Sequence, residues 1–305
     1  MSSPAATRRS SRRRAPPARP GTPWFAALLL AAACSKAPAA GAGAPDVAAT
    51  DRPPVGGERV AGERLKLRVL TFNAFVVPFR DDHEASRDRI GPAIGALGAD
   101  LVALQEVWRF EDAELLARAL AGQGLPYQRW LASTAPLAYG SPGLLVASRY
   151  PLGPLDYRPY VSGTLPITAW HPDWFSGKGV VAVEVQTPLG PIDFVNTHLH
   201  ASYATYDYFA VRVGQAAELL GYLGGAGGGP QVAPRPLIVA GDLNSPPDEL
   251  PARLLRSGAG LLAVPAAGID TILVRQGRDL SVEVLHSRRV LSEAVSYDDG
   301  SVGRL

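Results

Sequence analysis

Apolar residues recur along residues 65–305 with the spacings of short buried strands and amphipathic helices. Alternating or continuous apolar runs predict strands at 65–75, 100–108, 141–152 and 237–240, a hairpin over 179–201, and two further strands within 268–291. Helical spacing predicts helices at about 84–97, 111–122 and 207–223. Strands that alternate with helices are typical of an α/β fold. This stretch is long enough for one domain with a single core.

Polar side chains stand at the carboxyl ends of four predicted strands. They are Asn73, Glu106, His198, and the pair Asp242 and Asn244. Residues two apart in extended backbone point the same way, so we expect Asp242 and Asn244 to project into one crevice. Each residue has an ordinary structural role open to it, such as turn formation. Four such strand ends nevertheless favour one shared site, because α/β folds bind ligands there.

The residue types at these strand ends suit a hard divalent cation. Carboxylate and amide oxygens bind Mg²⁺, which takes few protein ligands and completes its shell with water and phosphate oxygens. An imidazole beside such a cation, here His198, is placed to donate to a phosphate on which charge develops. The combination predicts metal-assisted phosphoester hydrolysis, with Mg²⁺ or another divalent cation such as Mn²⁺ as the cofactor.

Five motifs follow one another along the chain: TFNAF, LQEVW, GLLVASRYPL, NTHLHASY and GDLNSPPD. In this order they resemble the endonuclease/exonuclease/phosphatase superfamily, the deoxyribonuclease I-like fold. The resemblance implies a four-layered α/β sandwich, with two packed mixed sheets flanked by helices and the site at an edge between the sheets. It also implies that Asn73 and Glu106 bind the cation and that His198 contacts the scissile phosphate. Asp242 and Asn244 would orient the attacking water and a metal or phosphate oxygen.

Within that superfamily the chain looks most like the neutral sphingomyelinases. They share a Lys-Gly pair before the middle hairpin and a His-Leu-aromatic pattern followed by Arg-x-x-Gln, although His200 stands where Gln is expected. The resemblance places Lys178, His200 and Tyr203 among the substrate-binding residues. Aromatic residues also crowd residues 157–178, where they suit a lipid interface or simply cover one sheet. We therefore expect phospholipase C-type cleavage of a phospholipid phosphodiester.

Residues 1–33 resemble a signal peptide of the lipoprotein type. A basic run at 8–14 precedes an apolar run at 24–33 that is too short to span a bilayer comfortably, and Cys34 follows directly. An ordinary signal peptide cut near Ala33 and a plain membrane anchor are the alternatives. A lipid on Cys34 would hold the exported protein at a membrane of the cell envelope, the outer membrane where one exists. Without that lipid the protein would be secreted.

Replacement of Cys34 with serine tests this expectation. If Cys34 carries the anchor, the Cys34→Ser protein should move from the membrane fraction to the soluble fraction, because serine accepts no thioether-linked lipid. The measurement is fractionation of cells followed by immunodetection. Unchanged membrane association of the variant would contradict lipidation at Cys34.

The charge balance changes once the predicted signal peptide is set aside. Six of the 30 Lys and Arg residues lie within residues 1–33, which contain no Asp or Glu. The remainder has 24 basic and 28 acidic residues, and a net charge of −4 does not favour a polyanion partner. A secreted Mg-dependent nuclease acting on nucleic acid is therefore the less favoured alternative. Residues 34–64, rich in Ala, Gly and Pro, are expected to tether a monomeric domain at 65–305.

The carboxyl end departs from the family pattern. The family carries Ser-Asp-His, whose histidine is central to catalysis, before a last core strand. This chain ends in AVSYDDGSVGRL and has no Asp-His pair after residue 270. Either the domain lacks its last strand because the chain is a fragment, or the protein is a catalytically inactive binding lipoprotein of the surface. We expect the 305-residue chain to bind Mg²⁺ weakly and to become active when a Ser-Asp-His tail with a short apolar strand is added.

Overall fold

In the computed structural model, the described residues form two mixed β-sheets, a short two-stranded pair and four helices. The first sheet has the strand order β1-β2-β4-β3. In it β1 (Val69–Val76) pairs parallel with β2 (Leu101–Val107), and β4 (Leu144–Ser148) pairs antiparallel with β2 and with β3 (Tyr127–Leu131). The structure describes residues 64–77, 83–133, 140–163, 173, 176–203, 206–224, 235–264, 268–278 and 280–290, and the backbone of 294–296 and 302–304.

The second sheet has the order β5-β6-β7-β8-β10-β9. Its strands are β5 (Asp156–Pro159), β6 (Gly179–Thr187), β7 (Gly190–His198), β8 (Leu237–Asp242), β9 (Leu262–Ala263) and β10 (Asp270–Arg275). Strands β7 and β8 are parallel, and every other neighbouring pair in this sheet is antiparallel. Two short strands, β11 (Ala294–Ser296) and β12 (Val302–Arg304), form a separate antiparallel pair.

Three of the four helices were predicted from helical spacing. They are α1 (His83–Leu97), α2 (Phe110–Gly122) and α3 (Phe209–Tyr222). In α2 the buried apolar residues fall at Ala113, Leu116, Ala117 and Leu120, which is the i, i+3, i+4, i+7 spacing of one helix face. Helix α4 (Leu250–Gly258) was missed, because nine residues are too few to show this period. No helix in the described part of the chain is long and apolar enough to cross a membrane.

Side-chain alternation along the central strands produces four layers. In β2, Val102 and Leu104 pack against α1 and α2, whereas Leu101 and Ala103 pack against the second sheet. In β8, Val239 packs against α3 and α4, and Ile238 faces the first sheet. The order is helices, sheet, sheet, helices. The predicted four-layered α/β sandwich with two mixed sheets is therefore confirmed.

The structure contradicts one predicted strand, and several other predicted features lie outside the described residues. The second strand predicted within 268–291 is wrong, because residues 280–290 are described and contain no strand. Their alternating apolar residues lack a paired neighbour, and pairing rather than alternation makes a strand. Most of the other predictions on the amino-terminal side lie outside the described residues: the signal peptide, Cys34 and the tether up to residue 63. The same holds for Trp170, Trp174 and Phe175 of the aromatic stretch.

Candidate functional site

The polar strand ends of the two sheets meet at one edge of the sandwich. His198 is the register partner of Asp242 in the parallel β7–β8 pair, and Asp270 is the partner of Asp242 in the antiparallel β8–β10 pair. In the first sheet Asn73 is the partner of Gln105, beside Glu106. Parallel strands bring their carboxyl ends to the same edge, and this explains the convergence. The shared site predicted from four strand ends exists as a spatial cluster.

Two carboxylates of this cluster converge on the Asn73 amide. Asn73 Nδ2 donates to Glu106 Oε1 over 2.9 Å and to Asp242 Oδ2 over 3.0 Å. His198 Nε2 lies 3.9 Å from Glu106 Oε1 and 3.8 Å from Asp242 Oδ2. The side chain of Asp242 is 5% exposed and that of Glu106 is 15% exposed, so both negative charges are largely removed from water. Two such carboxylates repel each other unless a positive charge lies between them.

Glu106 reaches the site through an unusual backbone conformation. Leu104 faces the helices, and strict alternation would place Glu106 on the same face, away from the second sheet. The φ angle of Glu106 is instead +59°, and the β1–β2 register shifts at this point, between Asn73 and Val76. Left-handed backbone costs about 1–3 kcal/mol in a residue other than glycine and concentrates at functional sites. The strain at Glu106 aims its carboxylate at Asn73 and His198.

Asn244 also lies in the cluster, but for a different reason from the one predicted. We expected extended backbone to align Asp242 with Asn244, whereas β8 ends at Asp242 and Asn244 has a φ of +46°. The turn is closed by the Asn244 amide, which donates to Asp242 Oδ1 over 2.8 Å. Asn244 Nδ2 then lies 3.1 Å from His198 Nε2 and donates to the Leu199 carbonyl over 3.0 Å. Both side chains therefore border His198.

A buried lysine and aspartate support His198 from the other side. Lys178 Nζ lies 3.0 Å from each ring nitrogen of His198 and 3.2 Å from Asp173 Oδ1. Burial, followed by the positive charge of Lys178, lowers the pKa of His198, so the ring is neutral at pH 7. Burial is the largest influence on Asp173 and opposes its ionisation, but the positive charge of Lys178, together with His198, His200 and the Ala201 amide, outweighs it and lowers the pKa of Asp173. Asp173 was not predicted as a site residue, because its position five residues before Lys178 was the only signal in the sequence.

The structure places the three residues that were predicted to bind substrate below or beside the cluster of strand-end residues. They are Lys178, His200 and Tyr203. His200 is 1% exposed, stacks on Tyr208 at 4.0 Å between ring centroids, and has Nδ1 3.3 Å from Asp173 Oδ2. The Tyr203 hydroxyl accepts from the Asp173 amide over 3.2 Å. These contacts support Asp173 and the loop after β7. A direct contact of these residues with substrate stays a prediction.

Asp270 is a further carboxylate at this edge that received no role from the sequence. Its Oδ1 is buried without a hydrogen-bond partner within the described part of the chain. Burial, reinforced by the negative charge of Asp242, raises the pKa of Asp270 to about 6. Its position at the start of β10, opposite Asp242, was the signal available in the sequence. The edge therefore carries three acids, Glu106, Asp242 and Asp270.

Two polar residues on the strands that carry Glu106 and His198 serve the fold instead. Gln105 Nε2 donates to Asn196 Oδ1 over 2.8 Å, and Asn196 Nδ2 donates to the carbonyls of Leu104 and Leu145. Both side chains are fully buried and join the two sheets directly beneath the cluster. A buried network with satisfied donors fixes one relative placement of the sheets. That placement holds Asn73 and His198, on different sheets, at the same edge.

The donor set fits a magnesium-type cation. Glu106 and Asp242 supply carboxylate oxygens. The Asn73 and Asn244 amides turn their nitrogens to the acids and to His198, so each would present its oxygen to a cation after a half-turn of the amide group. Among the described residues no group of three or more His, Cys, Asp or Glu side chains forms a cage. Mg²⁺ does not need such a cage, since it keeps several waters and binds through one or two carboxylates. These residues could hold Mg²⁺ and leave coordination positions for a substrate.

Comparison with known proteins relates the chain to one enzyme family. A model described as the Endonuclease/Exonuclease/phosphatase family matches residues 70–293. Sphingomyelin phosphodiesterase 2 of Rattus norvegicus is 32% identical over 200 residues, which cover 65% of this chain and 45% of that protein. The inositol phosphosphingolipids phospholipase C of Schizosaccharomyces pombe is 32% identical over 196 residues, covering 63% and 44%. The chain thus spans less than half the length of these relatives.

Solved structures show the same fold. Sphingomyelinase C from Streptomyces griseocarneus superposes with a TM-score of 0.57 and 20% identity, covering 78% of this chain and 94% of that one. A mutant of beta toxin from Staphylococcus aureus, which has bound magnesium ions, superposes with a TM-score of 0.59 and 14% identity, covering 79% and 95%. At these identities the likeness concerns the fold alone.

Proposed function

The chain belongs to the endonuclease/exonuclease/phosphatase family, whose members are metal-dependent phosphodiester hydrolases, and on that premise we propose that it cleaves a sphingolipid phosphodiester with Mg²⁺. The bond broken joins the ceramide part to the phosphorylated headgroup, as in a phospholipase C reaction. One observation carries the proposal. Asn73, Glu106, His198, Asp242 and Asn244 lie within 4 Å of a neighbour in the cluster, although they come from four strand ends.

Each residue of the cluster has a task that follows from its chemistry. Glu106 and Asp242, with amide oxygens beside them, would hold Mg²⁺, which neutralises charge on the phosphodiester. His198 is neutral and buried, so one ring N–H can donate to a phosphate oxygen as negative charge develops there. Asp242 and Asn244 would bind and orient the attacking water. Lys178 positions His198, and Asp173 positions Lys178.

The substrate class rests on the relatives. The names of two relatives specify sphingomyelin and inositol phosphosphingolipids, and both match the chain at 32% identity. The nuclease alternative predicts a basic surface near the site. Within the described cluster the acids Glu106, Asp242 and Asp270 outnumber the cations, which are Lys178, itself paired with Asp173, and Arg289, which acts on Asp270. This acidic edge favours a lipid phosphodiester over nucleic acid.

Hydrolysis of defined substrates tests the proposal. The 305-residue chain, and the same chain extended by Ser-Asp-His and a short apolar strand, are mixed with sphingomyelin micelles, with an inositol phosphosphingolipid, and with supercoiled plasmid. We expect release of phosphocholine or of the phosphoinositol headgroup by the extended chain with Mg²⁺, none in EDTA, and an intact plasmid. Plasmid nicking at a comparable rate would favour the nuclease. Mg²⁺ binding by the extended chain without any sphingolipid cleavage would contradict the proposal and favour the inactive binding protein.

A further inference from the structure

Two buried polar side chains of α3 contact the backbone that directly follows His198. They are Arg212, which is 3% exposed, and Gln215, which is fully buried. They form the Arg-x-x-Gln pattern of the sequence and stand three residues apart, so they lie on one face of the helix. Because a buried polar group is costly unless it is hydrogen-bonded, the partners of these side chains show what this face holds.

Side chains hold the backbone of residues 199–201, since β7 ends at His198. The His200 amide donates to Gln215 Oε1 over 2.8 Å, and the His200 carbonyl accepts from Arg212 Nη1 over 3.4 Å. Helix α3 thus completes a frame of side chains around the three residues that follow His198. Site residues supply the other members of this frame: Lys178 and Asn244, which donate to the Leu199 carbonyl, and Asp173, which accepts from the Ala201 amide.

The other end of the Gln215 amide holds the turn that follows β5. Gln215 Nε2 donates to the Ser162 carbonyl over 2.9 Å. The Val161 and Ser162 amides donate to the Glu218 carboxylate over 2.6 and 2.8 Å. Glu218 lies three residues after Gln215 on the same helix face, so two side chains of α3 fix the backbone of this turn.

The same turn leads back to His198. Tyr160 comes immediately before the turn, and its hydroxyl lies 2.6 Å from Thr197 Oγ1 while its amide donates to the Lys178 carbonyl over 2.9 Å. Thr197 precedes His198 in β7, and Lys178 contacts the ring of His198. Gln215 therefore reaches His198 from both sides, through the His200 amide after it and through the turn that contacts Thr197 before it.

We propose that Gln215 is a positioning residue for His198 and sets where the imidazole meets the phosphate. The proposal rests on the proposed function, in which His198 donates to a phosphate oxygen. A donor stabilises developing charge only when it is held in place beforehand, and a misplacement of about 1 Å costs about 100-fold in rate. Because His198 is the last residue of β7, strand pairing fixes the chain before it and the frame of side chains fixes the chain after it.

A purely structural role for Gln215 makes a different prediction. If the amide only fastened α3 to the sheet, its loss would lower the melting temperature and leave the ring of His198 unmoved below that temperature. Positioning predicts a change at the ring itself while the protein remains folded. The ring signals of His198 in nuclear magnetic resonance spectra therefore separate the two roles.

Gln215→Met is the test variant, since methionine keeps the length of the side chain and removes both hydrogen bonds. Gln276→Met is the matched control. Gln276 makes the same pair of bonds with the Val282 backbone, over 2.7 and 2.6 Å, and it follows the end of β10 that is remote from Asp270. The 305-residue chain is isotopically labelled at histidine, and the His198 signals are assigned by their loss in His198→Gln. Spectra are recorded in EDTA below the melting temperature of each protein.

We expect the His198 ring signals to shift in Gln215→Met and to stay in place in Gln276→Met. In the extended chain, kcat for sphingolipid hydrolysis should fall about 10- to 100-fold in Gln215→Met, with KM within about threefold of the unmodified value. A lowered melting temperature with unchanged His198 signals would overturn the proposal, and so would equal shifts in both variants. If the unmodified extended chain cleaves no sphingolipid, the proposed function fails, and the ring signals still decide whether Gln215 positions His198.

Glu218→Ala gives an answer even if Gln215→Met does not fold. The substitution loosens the turn, because Glu218 is partly exposed and accepts from the Val161 and Ser162 amides. We expect a smaller shift of the His198 signals in the same direction, with a smaller decrease in kcat. A shift in Gln215→Met without one in Glu218→Ala would support the proposal and assign the effect to the His200 contact. If Gln215→Met does not fold and Glu218→Ala leaves the His198 signals unchanged, the proposal is overturned.

Discussion

Glu106→Gln is expected to abolish Mg²⁺-dependent hydrolysis by the chain that has been extended by Ser-Asp-His and a short apolar strand. The substitution keeps the size of the side chain and the left-handed backbone but removes one of the two carboxylates that converge on Asn73. A hard cation binds neutral amide oxygen far more weakly than carboxylate in a site with so few protein ligands. We therefore expect a loss of at least about 100-fold in Mg²⁺ affinity, together with the activity.

Two measurements check this prediction. Isothermal calorimetry reports Mg²⁺ affinity directly, and the Mg²⁺-dependent rise in melting temperature reports it through linkage with folding. Glu111→Gln is the matched control, because Glu111 is 61% exposed at the start of α2 and pairs with Arg109. That control should bind Mg²⁺ and hydrolyse lipid normally. If Glu106→Gln retained most of the activity, Glu106 would not be the principal cation ligand.

His198→Ala should lower turnover by ~10²–10³, the usual cost of one preorganised donor to a developing oxyanion. Burial and Lys178 lower the pKa of His198, so we expect the neutral ring to act as a hydrogen-bond donor rather than as a charge. The loss should fall mainly on kcat, since the donated bond strengthens only as charge develops on the phosphate. Mg²⁺ affinity should change little, because His198 Nε2 lies 3.8 Å or more from both carboxylates.

The control variants separate catalysis from folding. His198→Ala also leaves the buried Lys178 with fewer partners, which could destabilise the fold. The melting temperature of the His198→Ala protein is therefore measured beside that of His198→Gln. Glutamine keeps an N–H donor and most of the side-chain volume. We expect His198→Gln to recover part of kcat. His286→Ala, outside the site cluster, should behave like the unmodified protein. A change of less than tenfold in His198→Ala would assign the phosphate contact to another residue.

The sequence by itself indicated strands that are buried on both faces and the strand ends at which the candidate site lies. The apolar runs of β2 and β8 are continuous, so the division of their side chains between the helices and the facing sheet became visible only in the structure, and the four layers were implied by the family resemblance. Asn73, His198 and Asp242 stand at strand ends on the face between the sheets. Their convergence was therefore predictable once the pairs β1–β2 and β7–β8 were taken to be parallel. Five ordered motifs added the family, which the comparison with its model confirmed.

Other features were decided only by tertiary structure. Glu106 should face the helices by alternation, and a shift of register with a positive φ turns it into the site. Gln105 and Asn196 join the sheets beneath the site, because a buried amide must satisfy its hydrogen bonds wherever its strand places it. The second strand predicted within 268–291 is wrong, since a strand also needs a neighbour to pair with. Asp173 contacts Lys178 from a position that no periodic pattern in the sequence indicated. Periodicity indicates which face of a helix or strand a residue occupies. Strand pairing, backbone strain and charge contacts instead depend on which segments of the chain meet in the folded protein.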